Sequence, residues 1–309
     1  MNTGIIRRRK IIRPSIAAFA VGALVLAACG SDESSEAEPA SSAAEPASTN
    51  SSATPAAEAE GTLAEVLERG YASYGLEAQY EPFGFRDENN DIVGYDIDVG
   101  NEIGERLGIE MRPTDTGWAT VIQTMYDGGF DFILGGMTAT AERAERVDFG
   151  VAYAEQASAI LIREDDEIQT QADLDGRIVS AGEGTPSVDM LGDLAEQNSI
   201  AYSGEIQQFA DDATAFEALS AGRIDAYATS YVSLVPLLNS RPGEFRTIEF
   251  RPEGWPDFFA AMAFRQEDDS LREAIDAQLL AMKADGTLAE LQMKWFGTEM
   301  TTPDTAPEV

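Results

Sequence analysis

From residue 62 onward, apolar positions recur with periods near 3.6 and near 2, and the switches between them fall at glycines or polar turns. Residues 63–69 have helical spacing and are broken by Gly70, after which 71–76 read as a short strand. Residues 83–86 lead into the polar turn Asp87-Glu88-Asn89-Asn90-Asp91, and Ile92 and Val93 open the return strand of a hairpin. Ile97, Val99, Ile103 and Leu107 give an amphipathic helix over 96–107, stopped by Gly108. A strand at 109–112, a helix at 118–127 and a buried strand at 130–134 follow.

The alternation repeats further on. A strand at 159–163, the turn Leu174-Asp175-Gly176, a strand at 177–181 and a helix at 186–196 come first. A helix at 213–221 and a strand at 224–227 flank Gly222, and amphipathic helices cover 270–283 and 288–295. Both halves carry a helix-glycine-strand step, Y-D-G-G-F-D-F at 126–132 and S-A-G-R-I-D-A at 220–226, so the pattern predicts two similar lobes. Strands alternating with helices imply an α/β architecture with a mainly parallel sheet. The folded part, about 62–297, is long enough to give each lobe its own core.

The first residues read differently. Arg7, Arg8, Arg9, Lys10 and Arg13 form a basic start to an apolar stretch at 16–28, which at roughly 13 residues is short for a membrane span and suits a signal peptide. Leu26-Ala27-Ala28-Cys29 resembles a bacterial lipobox, so 1–28 are expected to be removed and Cys29, the single cysteine of the chain, to be acylated. One cysteine excludes an internal disulfide. Residues 29–61 are rich in Ser, Ala, Glu and Pro with almost no large apolar side chain; such a segment cannot offset its ordering entropy and is expected to be a disordered tether. A lipid, a leash and a folded module together predict anchoring on the outer face of the cytoplasmic membrane.

Charge and composition narrow the chemistry. The formal charge is −34, and loss of the signal removes five bases and no acids. That balance excludes nucleic acid, whose binding needs clustered bases to displace counterions, and fits a solvated acidic surface better than an acidic metal site. Histidine is absent, which removes a Ser-His-Asp triad, a Cys-His pair and the usual zinc sites. No cofactor or metal is expected.

Three runs in order carry a resemblance: Y-E-P-F-G-F at 80–85, G-Y-D-I-D-V-G-N-E-I-G-E-R-L at 94–107, and F-D-F-I-L-G-G-M-T-A-T-A-E-R-A-E-R-V-D-F at 130–149. With the closing K-A-D-G-T-L-A-E-L-Q-M-K-W-F-G at 283–297, they resemble the family 3 extracellular solute-binding proteins, the polar amino-acid receptors of ABC importers. The resemblance implies a type II periplasmic-binding-protein-like fold. Lobe one would be 62–157 plus 258–309, with a disordered tail after about 298, and lobe two 158–257, joined by hinge strands near 157–160 and 257–261. Ligand would be trapped between the lobes.

The same resemblance implies the site. Arg143 would grip a ligand carboxylate, a role suited to a guanidinium fork that stays charged and pairs bidentately. Gly135 and Gly136 would let the backbone approach the ligand, Thr138 would add a hydroxyl and an amide, and the turn Gly184-Thr185-Pro186-Ser187 would present N–H groups at a helix start. Tyr80, Phe83 and Trp118 would form an aromatic wall, with Glu77 reading a basic side chain and Glu183 nearby. Two positions depart from the family's pattern: Ser230 stands where relatives place an aspartate for the α-ammonium, and Pro186 stands where they offer an N–H. The resemblance therefore implies a monomeric, non-enzymatic receptor for an amino acid, partnered by a permease and an ATPase. Three other readings stay open: a receptor for a compatible solute such as ectoine, a ligand-sensing subunit, and a periplasmic dehydratase-like enzyme.

Overall fold

The computed structural model describes residues 61–309, so the expected signal peptide, Cys29 and nearly all of the tether lie outside the described residues. The described chain opens with helix α1 (Gly61–Arg69), strands β1 (Tyr71–Leu76), β2 (Gln79–Tyr80), β3 (Gly84–Arg86) and β4 (Ile92–Val93), and helix α2 (Tyr95–Leu107). Next come β5 (Glu110–Asp115), α3 (Val121–Tyr126), β6 (Phe132–Ile133), α4 (Ala141–Ala144), β7 (Asp148–Glu155) and β8 (Ser158–Arg163). The chain then forms β9 (Val179–Gly182), α5 (Ser187–Asn198), β10 (Gln207–Phe209), α6 (Asp212–Ser220), β11 (Ala226–Ser230) and α7 (Tyr231–Ser240). It ends with β12 (Phe245–Glu249), β13 (Phe259–Phe264), α8 (Asp269–Asp285) and α9 (Thr287–Phe296).

Two five-stranded sheets result, in the orders β5-β1-β6-β13-β7 and β10-β9-β11-β8-β12, with a small antiparallel ribbon β2-β3-β4 as a third sheet. In each large sheet four strands run in one direction and a single strand, β13 in the first and β8 in the second, runs antiparallel between two of them. The sheets are therefore mixed and share one plan, as the repeated helix-glycine-strand step predicted. The chain passes from one to the other between β7 and β8 and returns between β12 and β13. At the crossings Gln156 N–H donates to Phe258 O at 2.8 Å and Tyr231 N–H to Ala157 O at 2.7 Å.

Strand alternation decides which helices cover which face. On β8, Ile160 and Ile162 pack with Met190, Leu191 and Leu194 of α5, while Ala159 and Leu161 pack with α6 and α7. In the first sheet one face meets α1 through Val66, α2 through Val99 and Ile103, and α8 through Leu271, Ile275, Leu279 and Met282, with Leu288 of α9 completing the cluster. The opposite face meets α3 through Val121, Ile122 and Met125. At the start of α2, Gly94 has φ 138°, and a Cβ there would lie 2.2 Å from Phe83 O, so only glycine lets the ribbon turn into the helix.

Some elements differ from the sequence pattern. The helix expected at 118–127 begins as a 3-10 turn at Trp118–Thr120, and α7, β10 and β12 had no clear signal. The segment after 298, expected to be disordered, is docked instead. Met300 is buried, its N–H donates to Gln292 Oε1 at 2.9 Å, and Lys283 Nζ donates to Pro303 O at 2.5 Å. Among the described residues no helix is long and apolar enough to cross a membrane.

Candidate functional site

Arg143 sits on α4, a single turn capped by Thr140, whose hydroxyl accepts from Arg143 N–H at 3.3 Å. Its Nη1 donates to Thr138 O at 2.7 Å and its Nη2 to Gly184 O at 2.8 Å. Thr138 bridges to β13 of the first sheet, and Gly184 lies in the turn after β9 of the second. The guanidinium thus ties the two sheets together with two of its five N–H groups and keeps three for other acceptors. Burial lowers its pKa to about 10, so it stays a cation at neutral pH. The Trp118 ring centre lies 5.6 Å from the guanidinium carbon.

A solvent-open cavity with about 760 Å³ of empty space lies between the sheets. Glu77, Tyr80, Trp118, Gly136, Thr138, Arg143, Glu183, Thr185, Ser187 and Ser230 all line it. Three residues expected there do not. Phe83 is fully buried behind Tyr80, the two rings stacked at 5.1 Å and 6°, and it packs on Tyr95 and Phe296 as core. Gly135 lies behind Trp118, against Leu76. Gly184 lines a neighbouring cleft that also borders Arg143, and its carbonyl orients the guanidinium.

The backbone beside Arg143 is held from below. Gly136 has φ 63°, and a Cβ there would lie 2.8 Å from the Tyr80 ring. Its N–H donates to Tyr153 Oη at 2.9 Å, and Tyr153 in turn donates to Asp96 Oδ1 at 2.7 Å. Gly136 O accepts from Gln156 Nε2 at 3.0 Å. Asp96 is fully buried, and burial raises its pKa to about 7 against the opposing hydrogen bond from Tyr153, its Oδ2 having no hydrogen-bond partner. The D-I-D run of α2 therefore supplies a carboxylate that fixes the loop through one tyrosine.

The acidic side of the cavity holds the main surprise. Asp212 opens α6 and lines the cavity, and the Tyr227 hydroxyl donates to its Oδ1 at 2.6 Å. Burial raises the Asp212 pKa, partly opposed by the Tyr227 hydrogen bond and reinforced by Asp211. Glu77, reaching in from the end of β1, is pushed to about 7 by burial first and then by Asp212, Asp211 and Asp115. Ser230 Oγ is buried without a hydrogen-bond partner. Asp212, Tyr227, Gln156, Phe209 and Phe258 were not anticipated. For Asp212 the available signal was an Asp-Asp pair ahead of a helix, which reads equally as a cap. Among the described residues no group of three or more His, Cys, Asp or Glu side chains could hold a metal ion.

Two like α/β sheets, joined by two crossings and lining one cavity around a guanidinium, define a receptor of the type II periplasmic-binding-protein fold. The chain belongs to the bacterial extracellular solute-binding proteins, family 3, whose sequence profile matches residues 73–298. It is 28% identical to the L-cystine-binding protein TcyJ of Escherichia coli K12 over 244 residues, covering 78% of this chain and 88% of the relative. The ABC transporter arginine-binding protein 1 of the same strain is 28% identical, covering 72% and 90%. Among solved structures, an ancestral arginine-binding protein bound to arginine is 31% identical with a TM-score of 0.67, covering 74% of this chain and 99% of that one. The ancestral amino acid-binding protein AncCDT-1, a precursor of cyclohexadienyl dehydratase, is 28% identical with a TM-score of 0.68, covering 76% and 100%.

Proposed function

We propose that the protein is the substrate-binding component of an ABC importer and captures a polar amino acid between two lobes, 62–157 plus 258–309 and 158–257. The observation that carries this reading is the partly free Arg143 guanidinium facing a cavity lined from both sheets. A ligand carboxylate meets Arg143, with Thr138 beside it and Ser187 as a donor at the start of α5, while Thr185 is already bonded to Gly182 O and shapes the turn. Tyr80 and Trp118 flank the ligand, and Asp212 supplies the acid for an ammonium that Ser230 lacks. Binding contacts from both sides favour the closed arrangement by the ligand's differential affinity for it. Relatives named for cystine and arginine binding support an amino acid over a compatible solute. In this reading Cys29 carries a lipid that holds a monomer on the outer face of the cytoplasmic membrane, where it delivers ligand to a permease and an ATPase.

The test is a thermal-shift screen against amino acids, ectoine and glycine betaine. A ligand at 100 times its Kd stabilises the protein by about 2.7 kcal/mol. Arg143→Ala is expected to abolish that shift for every ligand, and a full response from the variant would place the carboxylate grip elsewhere. A dehydratase-like enzyme is a second reading, favoured by Glu77 being held near 7 inside the cleft, a value suited to proton transfer. Recovery of bound ligand chemically unchanged after long incubation counts against it.

A further inference from the structure

Gln156 lies between the end of β7 and the start of β8 and is 2% exposed, a place that suits a glutamine only when its amide is bonded. Its Nε2 donates to Gly136 O at 3.0 Å, and its Oε1 accepts from the Tyr80 hydroxyl over a long 3.5 Å. Its own N–H goes to Phe258 O on the return crossing. Tyr80 ends β2, Gly136 follows β6 and Phe258 precedes β13, so every tie runs to the first sheet or to the ribbon packed on it. The next residue is held from the other side: Ala157 O accepts from the N–H of Tyr231, the first residue of α7. Consecutive residues are thus fastened to opposite sheets, and any turning of one sheet against the other falls on the peptide that joins them.

The geometry points to Gln156 as a positioning residue for ligand binding, whose amide pins the Gly136 peptide and the Tyr80 side chain to the crossing while the second sheet moves. This deepens the functional reading above by adding a residue that acts through others. Gly136 is where the effect concentrates. From residue 137 the loop is held by β13, with Ala261 N–H donating to Met137 O and Ala139 N–H to Phe259 O, each at 3.0 Å. Gly136 is held by side chains instead, its N–H by Tyr153 and its carbonyl by Gln156. A glycine at φ 63° brings no stiffness of its own, and a buried carbonyl stripped of its donor is costly. Two residues on, Thr138 O accepts from Arg143 Nη1, so a shift of the Gly136 peptide reaches the guanidinium.

Two variants of the full chain test this. Gln156→Leu removes both amide groups at every pH, whereas Gln156→Glu keeps the acceptor and can donate to Gly136 O only while protonated, the form burial favours. Glu77, Glu183, Asp211 and Asp212, with Tyr80 and Arg143, share the cavity, and Asp96 stands behind Tyr153, so each variant is read against the parent at the same pH. In the ligand-free protein, hydrogen exchange followed by mass spectrometry should run about fivefold faster over residues 134–139 in Gln156→Leu. Calorimetric titration uses L-arginine, L-glutamine and L-cystine, and the tightest of them should bind Gln156→Leu about tenfold more weakly at both pH 5 and pH 9. Gln156→Glu should fall as far at pH 9 and return to within about threefold of the parent at pH 5, a recovery that separates a lost bond from misfolding. Unchanged exchange in ligand-free Gln156→Leu would overturn the inference even where affinity falls, because Gln156 would then act by touching the ligand. Unchanged affinity, or equal losses in both variants at pH 5, would overturn it as well. Should none of the three amino acids bind the parent, the functional reading falls, and exchange alone decides whether Gln156 holds the loop.

Discussion

Replacing Glu77 by glutamine should make the empty protein more stable at pH 8 and leave it nearly unchanged at pH 4. The Glu77 carboxyl is displaced from 4.5 to about 7, by burial and then by Asp212, Asp211 and Asp115. Below the ordinary value both folded and unfolded chains hold the proton, so ionisation contributes nothing. Between 4.5 and about 7 the unfolded chain releases it while the folded chain keeps it, so the folded form loses ground as pH rises. Above that range the full cost is present. At 1.36 kcal/mol per pH unit the displacement amounts to about 3 kcal/mol. Solvent access to the half-buried side chain reduces this to roughly 1–2 kcal/mol. Glutamine carries no such proton, so its advantage should grow across that window to roughly 2–8 °C in melting temperature. Thermal unfolding of the ligand-free parent and variant at both pH values reads the difference directly. An unchanged or lower midpoint for the variant at pH 8 would refute the argument that Glu77 is a strained acid in the cleft.

Other substitutions separate the supporting core from the cavity wall. Asp96→Asn keeps an acceptor for Tyr153; with the native carboxyl raised from 3.8 to about 7, the variant is expected to be near-neutral below pH 4 and stabilising at pH 8, read by urea unfolding at both values. Asp96→Ala leaves the Tyr153 O–H without its acceptor and should cost about 1–3 kcal/mol in the same measurement. Phe83→Ala empties a core position and should cost about 3–5 kcal/mol, whereas Tyr80→Leu, at the cavity wall, should weaken ligand binding in titration more than it lowers stability. Cys29→Ser should move the exported protein from the membrane fraction to the soluble fraction on cell fractionation.

The regular parts of the fold were legible because their periods are clean. Val99 and Ile103 mark the buried face of α2, and the five polar residues at 87–91 mark the hairpin turn between β3 and β4. Helix α7 escaped because Pro236 lies inside it and a proline normally reads as a break. Strand β10 escaped because it is three residues long and begins with two exposed glutamines. In the site, Arg143 was reachable through a resemblance, yet its bond to Gly184 depends on a turn 41 residues away. Sequence alone could not decide which of Tyr80 and Phe83 faces the cavity, since Tyr80 ends the two-residue strand β2 and Phe83 lies in the turn that follows, with no periodic pattern to orient either. Asp212 was one acid among 55 acidic residues, and what distinguishes it is the Tyr227 hydroxyl, which comes from a different element.

The docked C-terminus has a practical corollary. Strand β7 is the outermost member of its sheet, and the last residues run alongside it: Ala152 N–H reaches Thr305 O at 3.4 Å and Thr301 N–H reaches Glu155 Oε1 at 2.9 Å. They act as a selvedge, occupying a border that another chain's strand could otherwise join. Trimming the protein at 298 would bare that border and strip Lys283 of its carbonyl acceptors, favouring self-association without touching the cleft. An affinity tag therefore belongs after Val309, as an addition to these residues and never as a replacement for them.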